Sequence, residues 1–198
     1  MNVLVACEFS QTVQDAFLQA GHYAFSCDIL PCEGPNPEYH FDEDMFRIAE
    51  DYDWDLIIAH PPCTALCVSG NRHYSETNAR YAAVQFVERI WNLPVKKLAI
   101  ENPVGVLNSY SNDLPKPYYI QPWQFGHRET KKTGLWTRGL PRLYPTDVVG
   151  PPPSPMTNED KKIWNRIHRM SPRPDRGKER SIFYSGIAKA MAAQWGRS

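Results

Sequence analysis

Short apolar runs recur along the first hundred positions of the chain, and each of them is followed by polar residues. The runs are "NVLVA" (2–6), "YAFSC" (23–27), "DLIIA" (55–59) and "KKLAI" (96–100). Apolar runs of this length with polar boundaries predict buried β-strands.

Two longer stretches between these strands have the periodicity of a helix. "TVQDAFLQA" (12–20) places its apolar residues on one face, with Ser10 or Thr12 as the expected N-cap and Gly21 at its end. "ARYAAVQFVERIW" (79–91) has the same pattern. Strands that alternate with helices form parallel βαβ units. The predicted fold class is therefore α/β, with a Rossmann-like, mostly parallel sheet covered by helices on both faces.

The pattern changes beyond Pro115. "YYIQPWQFG" (118–126) and "TGLWTRG" (133–139) predict an antiparallel hairpin added to the sheet on the C-terminal side. "PTDVVGPPPSPMTNED" (145–160) is rich in proline and typical of a loop. "GIAKAMAAQW" (186–195) has high helix propensity and predicts a closing helix.

Composition places the chain among ordinary globular proteins. It has 198 residues, of which 42% are hydrophobic and 12% aromatic. It contains neither an apolar run of the roughly 20 residues needed to span a bilayer nor the charged start of a signal peptide. Its five cysteines are an odd number without the spacing of a disulfide scaffold. We expect a cytoplasmic protein with free thiols, and no association with a membrane.

The formal net charge of zero hides a strong asymmetry. Residues 1–120 contain 7 Lys and Arg against 16 Asp and Glu, whereas residues 121–198 contain 15 against 6. A basic C-terminal part with interleaved aromatic residues suits a polyanion, of which nucleic acid is the first candidate. The alternative is a basic surface that only neutralises the acidic part of the chain.

Polar residues stand at the ends of all four predicted strands. They are Cys7 with Glu8, Asp28, His60 to Cys63, and Glu101 with Asn102. Ligands of open α/β sheets bind outside the carboxyl ends of the strands. The sequence therefore predicts one cleft that collects these side chains.

The thiol of Cys63 follows the double proline and has three interpretations. It could be a nucleophile presented into the cleft, since a reactive thiolate needs exposure and a field that stabilises the anion. It could belong to a zinc site with Cys67, His60 and His73, but no second pair of ligands completes four-fold coordination. It could also be a cysteine beside a structural turn. We predict no metal.

Glu101 would face the same cleft. Its carboxyl group could hold a polar ring edge, or donate a proton if burial raises its pKa. Alternatively, it could only satisfy backbone amides at the start of a helix. Glycine-rich phosphate loops of the GxGxxG and GxxxxGK[ST] types are absent, although Asp28 could hold ribose hydroxyls.

In this order, the motifs resemble those of the DNA cytosine-5 methyltransferases, and most of all the short phage- or prophage-type members. "HPPC" resembles the proline–cysteine motif, which implies that Cys63 is the nucleophile. "IENP" resembles the glutamate–asparagine motif, which implies that Glu101 and Asn102 lie in the catalytic site and that Glu101 binds cytosine at N3 and the exocyclic amine. "FGHRETKKTGLW" resembles a late motif and implies Lys131, with Arg128, beside the catalytic loop.

The resemblance also implies a cofactor, S-adenosylmethionine. "VACEFSQTVQDAFLQAGH" is similar to the first cofactor loop and its helix, although the glycines of the family are missing from it. "SCDIL" would bind the ribose, "HFDEDMF" the adenine amine, and "YSGIAKAMAAQW" would return to the pocket. The implied cofactor residues are Glu8, Phe9, Ser10, Asp28, Ile29, Asp44, Met45, Pro61 and Ser185.

The family likeness further implies the organisation and the partners of the chain. Residues 1–144 would form a catalytic domain with the Rossmann-like methyltransferase fold. Residues 145–180 would be a proline-rich and basic loop in place of a target-recognition domain, and residues 181–198 would return to the catalytic domain. The basic residues would hold phosphates of DNA, including single-stranded DNA, and Trp164 would stack on a base.

Two other functions are open on the same residues. The scaffold could modify a free pyrimidine nucleotide or an already modified base, because the recognition domain is missing. It could also be a non-catalytic nucleic-acid-binding homologue, because the cofactor loop lacks glycine. A protein partner could supply target recognition.

Overall fold

A seven-stranded sheet with helices on both faces organises the chain in the computed structural model, which describes residues 1–171 and 173–197. The strands are β1 (Asn2–Ala6), β2 (Tyr23–Asp28), β3 (His40–Asp42), β4 (Leu56–Ala59), β5 (Lys97–Pro103), β6 (Tyr118–Ile120) and β7 (Thr133–Arg138). The α-helices are α1 (Thr12–Gln19), α2 (Met45–Asp51), α3 (Asn71–Tyr74), α4 (Asn78–Trp91), α5 (Leu107–Tyr110), α6 (Asn158–Trp164), α7 (Arg176–Ser181) and α8 (Ser185–Trp195). Within the described ranges, no helix is both long and apolar enough to cross a membrane.

The strand order is β3-β2-β1-β4-β5-β7-β6, and the first five strands in this order pair in parallel. β7 lies antiparallel between β5 and β6. The predicted α/β class with a mostly parallel sheet and an antiparallel hairpin is therefore confirmed. The chain leaves β1 toward β2 on one side and reaches β4 on the other, which creates the crevice where such sheets bind ligands.

Alternate residues of β1 enter two separate hydrophobic layers. Val3 and Val5 pack in the layer that contains α1 and α8, whereas Leu4 packs with α2 and α4 on the opposite face. This alternation follows from the two-residue period of a strand. Because both faces of the sheet are covered, the sequence of the strand is a continuous apolar run and does not alternate between apolar and polar residues.

Two elements near β2 were not predicted. β3 contributes only three residues at the edge of the sheet, and α2 follows it with Asp44 as its N-cap. The Asp44 carboxylate accepts the backbone N–H of Phe46 at 2.7 Å. A strand of three residues gives too short an apolar pattern to be recognised.

The predicted N-cap of α1 is wrong, whereas Gly21 lies just beyond the end of the helix as expected, with φ of 85°. Gln11, with φ of 56°, is the N-cap residue, and its side chain does not cap the helix. The carboxylate of Glu8 takes this role from outside the helix, since it accepts the backbone N–H of Val13 at 2.8 Å and that of Gln14 at 3.1 Å.

The segment predicted as a loop over residues 145–180 contains α6, a 3-10 turn at Ile167–Arg169 and α7. α6 begins with a reciprocal capping box between Thr157 and Asp160. Trp164 at its end is only 2% exposed, and its carbonyl accepts the N–H of Thr130 at 2.7 Å. The expectation that Trp164 stacks on a base is therefore wrong, because its indole lies in the protein core.

Candidate functional site

The carboxyl ends of β1, β4 and β5 lie side by side in the sheet. Ala6 pairs with Ala59, and Ala59 pairs with Ile100. The residues that follow these positions, Glu8, His60 and Glu101, consequently project from one edge. The structure thus brings together polar residues that follow these strands, which the sequence predicted to share one cleft.

Cys63 stands on a tight turn immediately after Pro61 and Pro62. Its carbonyl accepts the N–H of Leu66 at 3.0 Å and that of Cys67 at 2.8 Å. Leu66 is fixed in turn, because its carbonyl accepts the N–H of Val106 at 2.9 Å. The turn leaves Cys63 half-buried at this edge of the sheet.

The surroundings of Cys63 favour the neutral thiol. A hydrogen bond with the Cys67 thiol raises the pKa of Cys63 most, and burial and the negative charge of Glu101 raise it further. Lys131 acts in the opposite direction, because its positive charge lowers this pKa. The net result is a pKa well above the usual range of a cysteine, so the thiolate requires a change in the site, such as a bound substrate.

Glu101 is buried and accepts a hydrogen bond from His60. The distance between His60 Nδ1 and Glu101 Oε2 is 3.2 Å. Burial raises the pKa of Glu101, but the hydrogen bond from His60 and the positive charge of Lys131 outweigh it, so the pKa lies below its usual range. Glu101 is therefore a carboxylate, and the expectation of a proton donor with a raised pKa is wrong. The second oxygen, Oε1, is buried and has no hydrogen-bond partner in the described ranges.

Asn102 joins the end of β5 to the turn that follows β4. The Asn102 amide donates to the carbonyl of Pro61 at 2.9 Å, which ties the residue after Glu101 to the turn that carries Cys63. Asn102 is 1% exposed. This bond makes Asn102 and the backbone of Pro61 part of the scaffold of the cleft.

Lys131 reaches the cleft from the loop before β7. Its backbone N–H donates to Gln121 Oε1 at 3.1 Å, and its ammonium group donates to the carbonyl of Arg180 at 3.0 Å. It is close enough to influence both Cys63 and Glu101 electrostatically. The guanidinium group of Arg128 lies 5.8 Å from the centre of the Trp164 ring.

A second polar cluster surrounds the carboxyl end of β2. Cys7 is held there by a contact of 3.9 Å between its thiol and the sulfur of Met45. Burial raises the pKa of Cys7 most, and the negative charges of Asp28 and Asp44 raise it further, so these groups lie near one another. Asp28 accepts the N–H of Leu30 at 2.9 Å, and burial raises its pKa.

The chemistry of this second cluster fits the nucleoside end of S-adenosylmethionine. A half-buried carboxyl group at the end of β2 can accept hydrogen bonds from ribose hydroxyls. The adjacent Ile29 is 81% exposed and offers an apolar surface for a planar base. Asp44 is also exposed, although one of its oxygens is engaged in capping α2.

The loop after β1 has a specific internal structure in place of glycines. Cys7 and Gln11 both have positive φ angles, of 59° and 56°. The buried amide of Gln11 donates to the carbonyl of Asn36 at 2.7 Å and to Ser26 Oγ at 3.0 Å. Gln11 therefore joins this loop to the loop after β2.

Phe9 and Ser10 lie in the same loop. The carbonyl of Phe9 accepts the N–H of Glu33 at 2.9 Å, and Ser10 Oγ lies 3.3 Å from the hydroxyl of Thr12. Glu8 is only 4% exposed and is occupied by the two N–H groups at the start of α1. Glu8 thus stabilises the start of α1, and its contact with a cofactor stays a prediction.

The C-terminal segment returns to the cleft just before α8. The ring of Phe183 packs on His60 with 4.7 Å between ring centres, and the Tyr184 hydroxyl donates to Glu129 at 2.8 Å. Ser185 is exposed at the start of α8. The part of this segment that meets the cleft is therefore Phe183, two residues before the predicted Ser185.

The cysteines were also considered as metal ligands and as disulfide partners. Within residues 1–171 and 173–197, no three His, Cys, Asp or Glu side chains form a group that could hold a metal ion. The five cysteines of the chain are thiols rather than disulfides. The pair of Cys63 and Cys67 is accordingly a contact between two thiols.

Sequence reasoning placed His60 in the cleft and considered it as a zinc ligand, but it did not identify its contact with Glu101, and it did not identify Phe183. The signal for His60 was its position at the end of the apolar run 55–59, directly before Pro61. Nothing in the local pattern could reveal Phe183, because its contact with His60 joins positions more than 120 residues apart.

Comparisons with known proteins support the fold. No model of a protein family matches the sequence, and no curated protein matches it either. Among solved structures, the chain is similar to a protein described as a DNA modification methyltransferase encoded within an E. coli prophage, with 16% identity, a TM-score of 0.50, and coverage of 75% of this chain and 51% of that one. It is also similar to the Entamoeba histolytica methyltransferase EhMeth, with 16% identity, a TM-score of 0.50, and coverage of 75% and 57%.

The chain thus spans a little over half the length of the solved structures that it matches. At this level of identity the likeness shows a shared fold. The chain has the Rossmann-like fold of these methyltransferases, with its polar clusters at the carboxyl edge of the sheet.

Proposed function

We propose that this protein transfers a methyl group from S-adenosylmethionine to C5 of cytosine in DNA, with Cys63 as the nucleophile. The observation that carries the proposal is the convergence of Cys63, Glu101 and Lys131 at one edge of a methyltransferase-type sheet. The second cluster, at Asp28 and Ile29, would hold the cofactor beside them. When bound, S-adenosylmethionine supplies the methyl group as an electrophile.

Cys63 begins the reaction by adding its sulfur to C6 of the pyrimidine. As the adduct forms, the Cys63 thiol gives up its proton and N3 takes one up, so that Glu101 accepts hydrogen bonds from N3–H and from the exocyclic amine. The electron density displaced from C6 then makes C5 nucleophilic. Once C5 carries the methyl group, loss of the C5 proton to a base restores the double bond, the bond between sulfur and C6 breaks, and Cys63 is regenerated. The positive charge of Lys131 favours the thiolate at both ends of this cycle.

DNA is the proposed substrate because of the basic C-terminal part of the chain. Exposed cations of this part include Lys162, Arg166, Arg169, Arg173 and Lys178. Phosphate contacts of this kind give affinity without sequence information. The cytosine would have to leave the base stack to reach Cys63, which costs a few kcal/mol in a duplex and less in a single strand.

A free pyrimidine nucleotide is the second candidate substrate. The segment 145–180 folds back on the protein, where Lys178 forms an ion pair with Glu33 and Arg166 forms one with Glu129. Part of the basic charge is thereby neutralised within the chain, which favours a small substrate over a long duplex.

Reduced cysteines also fit a reducing compartment such as the cytoplasm.

Mass spectrometry of DNA and of nucleotide pools from cells that express the protein tests the proposal. Wild type and Cys67→Ser should produce 5-methylcytosine in DNA, whereas Cys63→Ser should produce none although it unfolds at a similar temperature. A methylated nucleotide pool with unmodified DNA would establish the second candidate. No modified pyrimidine in either pool, or 5-methylcytosine formed by Cys63→Ser, would refute methyl transfer by Cys63.

A further inference from the structure

The imidazole of His60 contacts the buried carboxyl group of Glu101 and lies within electrostatic range of a second one, that of Glu8. Its Nδ1 atom is 3.2 Å from Glu101 Oε2, and the two side chains are 11% and 9% exposed. The low pKa of Glu101 means that this carboxyl group is the acceptor and that Nδ1–H of His60 is the donor. A hydrogen bond to a charged group in such a dry position is strong and directional.

The ring of His60 is also fixed from other sides. Phe183 packs against it with 4.7 Å between ring centres. Glu8 faces it closely enough that the charge of His60 lowers the pKa of Glu8, against the larger effect of burial. His60 therefore has little freedom to rotate away from Glu101.

Two polar atoms around this contact have no partner. Glu101 Oε1 and His60 Nε2 are both buried and lack a hydrogen bond within the part of the chain that the structure describes. The Thr133 hydroxyl lies near enough to lower the pKa of Glu101, but its proton is donated to the carbonyl of Lys131 at 3.0 Å. A buried carboxylate oxygen without a donor is costly. The oxygen bound by His60 is thus fixed, while the other oxygen is held in place and available for a donor that is not part of the protein.

We propose that His60 is a positioning residue, which holds one oxygen of Glu101 so that the other, Oε1, is presented to the hydrogen-bond donors of a bound pyrimidine. The identity of the substrate rests on the proposed function, whereas the effect of His60 on Glu101 does not. The other titratable groups around the pair are Glu8 on one side and Lys131 with Cys63 on the other.

Two variants of His60, with side chains of similar shape, distinguish the effect of its hydrogen bond from the effect of its ring volume. His60→Asn keeps an N–H donor close to the position of Nδ1, and His60→Leu has the same shape without the donor. Because the bond from His60 lowers the pKa of Glu101, this pKa should rise in His60→Leu and stay near its wild-type value in His60→Asn. His73→Asn, at an exposed histidine of α3, serves as the control.

NMR titration of protein labelled with ¹³C at the glutamate carboxyl groups measures this directly, with Glu101→Gln to assign the signal. The expected result is a raised Glu101 pKa in His60→Leu alone. Equal Glu101 pKa values in His60→Leu and His60→Asn, or no change from wild type in His60→Leu, would overturn the proposal. The two variants match in packing, so a general loss of stability affects both alike and does not imitate the expected difference.

Kinetics then connect the bond to catalysis. With S-adenosylmethionine and a cytosine-containing oligonucleotide, kcat of His60→Leu should fall about 10- to 100-fold with little change in KM, and His60→Asn should recover most of the loss. If the wild type methylates no cytosine, the proposed function fails, while the titration still decides the role of His60. If the wild type is active and both variants keep full kcat, the positioning role is refuted.

Discussion

The carboxylate of Glu8 accepts the backbone N–H groups of Val13 at 2.8 Å and of Gln14 at 3.1 Å. A side chain from the end of β1 thus closes the first turn of α1, at a place where nucleotide-binding folds of this class often use glycine-rich backbone. Because Glu8 also lies within electrostatic range of His60, it connects the first loop of the sheet to the candidate site.

Replacing Glu8 should destabilise the protein in graded steps. Glu8→Ala leaves two buried N–H groups unsatisfied, at about 1–3 kcal/mol each, whereas Glu8→Gln keeps one acceptor oxygen and should cost less. Urea unfolding at neutral pH measures both free energies. Glu38→Ala, at an exposed carboxylate, should change the free energy of unfolding by only about 0.5 kcal/mol or less. Equal stabilities of Glu8→Ala and Glu38→Ala would contradict this role of Glu8.

The same carboxyl group should contribute to the pH dependence of stability. Burial raises the pKa of folded Glu8 above its unfolded value, so the folded state binds this proton more tightly than the unfolded state does. Its contribution is fully present below the unfolded pKa and is lost as the pH rises through the folded pKa. The stability of the wild type relative to Glu8→Gln should therefore fall as the pH rises above the ordinary pKa of a glutamate carboxyl group. A relative stability that rises over this range would show that the pKa of Glu8 is lowered instead.

Gly34 should not tolerate a side chain. A Cβ atom at this position would overlap the side chain of Gln11, which is buried and hydrogen-bonded to Asn36 and Ser26. Gly34→Ala should cost about 1–3 kcal/mol, because either Gln11 or the loop after β2 must move. Thermal unfolding checks this against Gly177→Ala, where a Cβ meets no atom within 4 Å and which should be neutral or slightly stabilising. Equal melting temperatures of Gly34→Ala and Gly177→Ala would show that the loops after β1 and β2 are not joined through Gln11.

The sequence predicted the central strands and the long helices, because apolar runs and helical periodicity are local signals. β1 and β4, for example, are apolar at nearly every position since both faces of the sheet are covered. The cap of α1 was not predictable in the same way, because Glu8 lies outside the helix and acts through the folded turn. Trp164 was misinterpreted because its burial depends on contacts with Thr130 and Gly150 that no local pattern reveals.

The same distinction between local and long-range signals applies to the candidate site. That Cys63 and Glu101 share an edge followed from their positions after parallel strands. The protonation states of Cys63 and Glu101 could not be predicted in this way, because these states depend on neighbouring residues that only the fold brings close. Lys131 and His60 lower the pKa of Glu101, and Cys67 raises that of Cys63. The charge that a side chain carries at such a site is therefore a property of the tertiary structure.

The reactivity of Cys63 should increase when its partner thiol is removed. The hydrogen bond with Cys67 stabilises the protonated form of Cys63, so Cys67→Ala should lower the pKa of Cys63 and raise the thiolate fraction at a given pH. Below the pKa, the thiolate fraction should become about tenfold larger for each pKa unit lost, and alkylation by iodoacetamide should be faster for that reason, by less than tenfold because a less basic thiolate is a weaker nucleophile. Peptide mass spectrometry after timed alkylation at several pH values reports this rate for Cys63 alone.

Cys67→Ser provides the matched control, since its hydroxyl can still accept a hydrogen bond from Cys63, and its rate should lie closer to that of the wild type. In the wild type, the rate should keep rising with pH beyond the ordinary pKa of a cysteine, because the pKa of Cys63 is raised. A plateau near pH 8, or alkylation of Cys67→Ala no faster than wild type, would show that Cys67 does not hold Cys63 in its neutral form. The nucleophile would then be active without help from a bound substrate.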